Sequence, residues 1–325
     1  MAPVIEKLVD GFEVAEGPHW DHKKQCLYFV DFVEGTICKY VPSTKKFTKA
    51  KIGRKKLSFL QQEVNLSVNS LCPGDLCDYN VSLVIPVKNK NNEFVVGLNN
   101  SVAVVEWDGE SPNVSSVKKL YEVDVGTPNI LNDGKCDKKG RLWAGTMGGT
   151  PRTLNELVPE NGTLYSFSNN TTTPHRTGVN LSNGLAFDYK RGKMYYTDTF
   201  SFKVDQYDFD IIEGTISNMK TIFTITNEEN FCDGMTLDAD GNIWLAVFAS
   251  SRVYQIDPSK PDTVLRTVEL PAAQITSVAF GGPNLDELYV TSAHFTDRPT
   301  GESPGSIFRV TGLNIKGLPA DEFII

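Results

Sequence analysis

Histidine, paired cysteine and helical pattern are all scarce in this chain. The four histidines, at 19, 22, 175 and 294, are scattered, and none of the six cysteines forms a Cys-x-x-Cys pair. A zinc site or dithiol redox motif is therefore not expected. Cys72 and Cys77, in "CPGDLC", are the one pair close enough for a local bridge, and a reducing compartment would leave them as thiols. No run of about 18 apolar residues is present, so no transmembrane helix is expected. The opening "MAPVIEKLVDGFEVAEG" carries acids early and no apolar core, so no signal peptide is expected and the reading is cytoplasmic. Basic residues are outnumbered, 32 Lys and Arg against 40 Asp and Glu, for a net charge of −8. Without a basic stripe there is no electrostatic footprint for nucleic acid. A monomer acting on a small molecule, away from membranes, is the expectation.

A repeat is what the chain does have. Six short apolar segments rich in β-branched and aromatic residues recur: "CLYFVD", "EFVVGL", "RLWAGT", "KMYYTD", "NIWLAV" and "ELYVTS". Aligned on their aromatic positions, at 28, 94, 143, 195, 244 and 289, they are spaced by 66, 49, 52, 49 and 45 residues. Most are preceded by a polar turn and another apolar strand, and each is followed by a third strand. Strand–turn–strand–turn–strand at this period is the signature of a β-propeller blade. The chain is thus expected to be all-β, a six-bladed β-propeller in one domain over 1–325; even spacing argues against a pair of β-sandwiches. The long first interval places an insertion loop at about 59–82, polar and rich in turn residues.

In a propeller the innermost strands line a central channel, and ligands sit at its mouth. Around the repeats that slot reads Glu16 in "AEGPHW", Asn132 and Asp133 in "LNDGKCD", Asn183 in "SNGLAFD", Asp233 in "CDGMTLD", and Thr276 with Ser277 in "ITSVAFG". Converging carboxylate and amide oxygens suit a hard divalent cation such as Ca²⁺ or Mg²⁺. Asn-Gly and Asp-Gly are equally the turn residues of a repeating unit; glutamate has no such turn role, so Glu16 favours the site. Asp240, in "DADG", reads as the turn between two strands. Gly301–Gly305, "GESPG", matches the spacing of a nucleophile elbow but lacks its strand–turn–helix setting.

"EGPHWD", "LYFVD", "LNDGK", "LWAGTM", "SNGLAF", "YYTD", "DGMTLDADGNIWLAVF" and "TSVAFGGPNLDELYVTSA", in this order, resemble the SMP-30/gluconolactonase/regucalcin family. Within it, the N-terminal stretch and the last blade look closest to the insect luciferin-regenerating branch. The resemblance implies one divalent cation, Ca²⁺ foremost with Zn²⁺, Mg²⁺ or Mn²⁺ as alternatives, held by Glu16, Asn183 and Asp233. It implies substrate contact at Asn132, and it makes Asp233 a general base, with Asp133 as the other candidate. Ile130 stands where relatives that bind sugar lactones have an arginine, which implies a more apolar substrate; Arg152 could supply the missing cation. The implied activity is metal-dependent hydrolysis, either of a lactone or of oxyluciferin toward 2-cyano-6-hydroxybenzothiazole. The alternative is a non-catalytic, regucalcin-like calcium-binding regulatory protein.

Overall fold

The computed structural model describes residues 2–53, 79–149 and 157–325. Its strands form six antiparallel sheets of four, each a meander whose first strand lies innermost, with one exception in the last sheet. The architecture is a six-bladed β-propeller, as the repeat predicts. Arg152, Cys72 and Cys77 lie outside the described residues, as does the predicted insertion apart from its end. Val81 and Ser82, assigned above to that insertion, are instead the first residues of the inner strand of blade 2, Val81–Pro86.

The blades own four strands rather than the three read from the sequence. Second strands such as Cys26–Asp31 are buried at every position, because other blades cover both faces. Fourth strands such as Ser116–Glu122, "SVKKLYE", face solvent and are largely exposed. Their polar composition is what hid them among the turns. The last sheet takes its fourth strand from the other end of the chain: Val4–Asp10 pairs antiparallel with Ser306–Thr311. This closure leaves the ring without an open seam.

Each inner strand carries an irregularity at the same place. Opposite the second strand, the register slips at Gly17-Pro18, Ser82-Leu83, Asn132-Asp133, Asn183-Gly184, Asp233-Gly234 and Thr276. A bulge puts extra residues on one strand and breaks the strict alternation of faces, which re-aims a side chain. The Asx-Gly steps in this slot are therefore strand bulges, and Asp233 lies inside its strand, Phe231–Leu237, rather than ahead of it. The glycines have a packing reason as well. A Cβ on Gly184 would meet the Asp233 carbonyl oxygen at 2.4 Å, and one on Gly234 would meet Ser277 Oγ at 2.0 Å.

Asp240 is a turn residue, as read: Gly241 N–H donates to the Asp238 carbonyl at 3.0 Å, with Gly241 at φ +85°. The structural aspartate of that stretch is Asp238. Its fully buried carboxylate accepts from Asp240 N, Asn242 N, Trp244 Nε1 and Gln255 Nε2. Asp137 repeats the device two blades earlier, with Arg141 Nε and Trp143 Nε1. The cysteines at 26, 38, 136 and 232 are free and buried.

Candidate functional site

Three bulge residues, Asn132, Asn183 and Asp233, share one cavity with Glu16, which pairs with Val30 one residue ahead of its own blade's bulge. Glu16, Asn132, Asn183 and Asp233, with Thr199 and Thr276, give its polar lining. Val14, Phe32, Val33, Met147, Leu181, Phe231, Phe248 and Phe295 give its apolar walls. The cavity volume is about 90 Å³.

The hydrogen bonds fix which way the amides point. Thr199 Oγ1 donates to the Cys232 carbonyl at 3.0 Å, so it must accept from Asn183 Nδ2 at 3.1 Å. Asn132 Nδ2 donates to the Ser182 carbonyl at 2.8 Å. Both amide nitrogens are committed, and both amide oxygens remain without a protein donor among the described residues. Glu16 Oε2 accepts from Gly17 N at 3.0 Å, and Thr276 Oγ1 donates to the Ala15 carbonyl beside it at 2.6 Å. Asp233 Oδ1 is buried with no hydrogen-bond partner at all. An unpartnered carboxylate oxygen in a protein interior is costly, and it calls for a bound ion, a water or a catalytic role.

The electrostatics agree. Burial raises the Asp233 carboxyl well above the ordinary range, and the charges of Glu16 and Asp133 raise it further. Glu16 is pushed up to about 8, by burial first and then by Asp133. Burial also raises Asp133, while the Lys135 ammonium draws it down. Lys135 itself falls to about 8, through burial. Three acids held close with this little compensation form a place where positive charge is wanted.

Asp133 does not line the cavity; its oxygen accepts from Gly134 N at 2.6 Å, and it acts on the others through its charge. Ile130 is buried behind the wall, packed with Met147 and Leu181. Among the histidines, His19 is buried in a second cavity with Lys135 and Tyr189, and His294 is exposed. Among the described residues no group of three or more His, Cys, Asp or Glu side chains is arranged to hold a metal. The donor set is two carboxylates plus amide oxygens, which suits a hard cation better than a zinc-type centre.

Sequence reasoning did not find the aromatic wall, Thr199 or Arg298. Phe231 is at its centre: it packs with Phe200 at 5.6 Å, Phe202 at 5.5 Å and Phe248 at 6.4 Å between ring centroids, and Phe248 meets Phe295 at 6.3 Å. A signal for it exists. Phe32, Phe200, Phe248 and Phe295 all fall at or just after the end of a second strand, where the chain turns at the mouth.

A family model described as the SMP-30/Gluconolactonase/LRE-like region matches residues 14–294. Regucalcin of Xenopus laevis is 32% identical over 327 aligned residues, spanning 98% of each chain. A solved luciferin-regenerating enzyme superposes with a TM-score of 0.86 at 38% identity, covering all of both chains. A calcium-binding protein, regucalcin, of Agrobacterium tumefaciens has a TM-score of 0.78 at 19% identity, with 98% of this chain and 97% of that one covered, and shares the fold.

Proposed function

The chain belongs to the SMP-30/gluconolactonase/LRE-like family, and on that footing we propose that it is a divalent-metal-dependent hydrolase opening a ring carbonyl compound of apolar character. Membership supports a lactonase-like function at the level of the family. The observation that carries the finer reading is the unpartnered, buried Asp233 Oδ1 beside Glu16.

The residues present fit a cation. Glu16, Asp233 and the Asn183 amide oxygen would hold it, with Ca²⁺ the best match to an all-oxygen set. When bound, it supplies Lewis acidity at the carbonyl and lowers the pKa of water. The chain's own residues do the rest. Asn132, its nitrogen tied to Ser182, turns its amide oxygen to the substrate. Asp233 borders the cavity and takes the proton of the attacking water; Asp133, outside the lining, contributes its charge, which raises the Asp233 carboxyl and so its basicity. In a lactone the acyl C–O bond breaks as water adds and the proton passes to the released alkoxide, giving a hydroxy acid; in oxyluciferin the acyl C–N bond breaks instead, and loss of the ring sulfur as thiolate from the neighbouring carbon leaves the nitrile and thioglycolate. The phenylalanine walls desolvate the substrate ring. With Ile130 behind them in place of a guanidinium, they favour an aromatic or otherwise apolar ring, such as oxyluciferin, over a sugar lactone.

The test is a panel of aryl lactone, sugar lactone, ester and oxyluciferin with Ca²⁺, Mg²⁺, Mn²⁺ and Zn²⁺, run on the wild type, Glu16→Gln and Asp233→Asn. Metal-dependent turnover of an apolar ring substrate, lost in both variants, is expected. Tight metal binding without turnover of anything would favour the regucalcin-like calcium-binding reading, for which the oxygen donor set is equally suited.

A further inference from the structure

Arg298 is the described arginine that has no acceptor. Arg141, Arg176, Arg191, Arg252 and Arg309 each meet a carboxylate, and Arg266 donates to the Leu313 carbonyl at 2.7 Å. Arg298 pairs with no carboxylate among the described residues, and its Nε is buried without a partner. Its guanidinium lies 5.3 Å from the centre of the Phe231 ring, the ring that lines the candidate cavity.

The loop bearing it is held in place. Gln274, fully buried, donates from Nε2 to the carbonyls of Phe295 at 2.7 Å and Pro299 at 3.1 Å, and accepts from Phe295 N at 2.7 Å. Ala273 N donates to the Thr300 carbonyl at 3.0 Å. The loop is thus tied down on both sides of Arg298, as a binding group needs to be. A guanidinium resting on an aromatic face with its edge unpaired is preorganised for a planar anion. The cavity lining holds two carboxylates and no Lys or Arg; Arg298 stands outside that lining and meets it at the Phe231 ring.

We infer that Arg298 is a specificity residue that holds a carboxylate carried by the substrate, away from the bond that breaks, while the substrate's apolar ring lies against Phe231. This rests on the hydrolase reading for the identity of the ligand as substrate, but not for its binding, and it favours an apolar ring bearing a carboxylate over oxyluciferin, which carries none. The cation that Ile130 fails to supply from the third blade would come instead from the sixth.

The test is a ligand-observed NMR titration of the whole protein, with and without Ca²⁺, using 3-phenylpropionate and its neutral counterpart 3-phenylpropanol. The wild type is expected to bind the acid about tenfold more tightly than the alcohol. Arg298→Ala is expected to abolish that preference with alcohol binding unchanged, and Arg298→Lys to restore part of it, since lysine keeps the charge but not the planar fork. Equal binding of acid and alcohol by the wild type would overturn the inference, as would an equal loss of both, or of neither, in Arg298→Ala. Turnover of dihydrocoumarin is measured separately. Selective acid binding without any lactone turnover would sink the hydrolase reading and leave the carboxylate site standing.

Discussion

Glu16 and Asp233 reach one cavity from the first and fifth blades, and the charge of Glu16 adds to burial in raising the Asp233 carboxyl. Asp233 Oδ1 has no hydrogen-bond partner among the described residues, and the Asn183 side chain and Gly234 N–H offset the rise only in part. The pair is a destabilising element in the metal-free protein and, under the proposed function, the binding element of the loaded one.

Removing one charge should therefore stabilise the metal-free fold. Asp233→Asn is expected to raise its unfolding free energy by on the order of 1 kcal/mol, and to erase the rise in Tm that Ca²⁺ gives the wild type. Thermal unfolding with and without Ca²⁺ checks both. A metal-free variant less stable than wild type would count against the repulsion.

The pH dependence follows from the sign of the shift. Glu16 has its folded pKa raised to about 8 from 4.5. Its contribution is thus fully present below the unfolded value and is lost as pH rises through the folded one. His19, lowered from 6.5 to about 4 by burial, acts oppositely but only below its unfolded value. Between pH 6.5 and 8 the metal-free protein should lose stability as pH rises, and Glu16→Gln should flatten that slope. Denaturant unfolding at several pH values measures it.

Asp238 stands five residues after Asp233 in the same segment and should behave differently. Its carboxylate receives Trp244 Nε1, Gln255 Nε2 and two backbone N–H groups. Asp238→Ala leaves these buried donors unpaired and should cost about 3 kcal/mol of stability. Metal affinity of the folded fraction should stay within about twofold of wild type, as read by calorimetry on the two proteins.

Gly184→Ala tests the contact between blades. The new methyl would lie 2.4 Å from the Asp233 carbonyl, which is backbone and has little freedom to yield. A loss of about 1–3 kcal/mol is expected, with weakened metal binding because the strand carrying Asp233 must move. Gly178→Ala, where a Cβ would meet nothing within 4 Å but the backbone holds φ +68°, separates the effect of backbone strain from that of the lost space.

The propeller was legible in the sequence because its second strands are buried on both faces and so read as six matching apolar segments. The fourth strands were not, since "SVKKLYE" and "TTTPHRTGV" face water and carry no apolar run. The floor of the site was legible through the inner-strand positions of Glu16, Asn132, Asn183 and Asp233, although Glu16 falls one residue ahead of the slot that holds the other three. The reason for that slot was not: a bulge needs the partner strand's register, which one strand's residues cannot reveal. Phe231 precedes its bulge by two residues and belongs to none of the repeated motifs. Arg298 has no motif; only the loop fixed by Gln274 brings it to the Phe231 ring.

The central claim is that Glu16, Asn183 and Asp233 together hold one divalent cation on which ring opening depends. Calorimetric titration of wild type and Asp233→Asn with Ca²⁺, paired with aryl lactone turnover on the same samples, tests it most directly. The account predicts one site per chain in the wild type, with affinity falling at least about 100-fold in the variant and turnover falling with it. Unchanged Ca²⁺ affinity in Asp233→Asn, or turnover that persists after the metal is stripped, would contradict it.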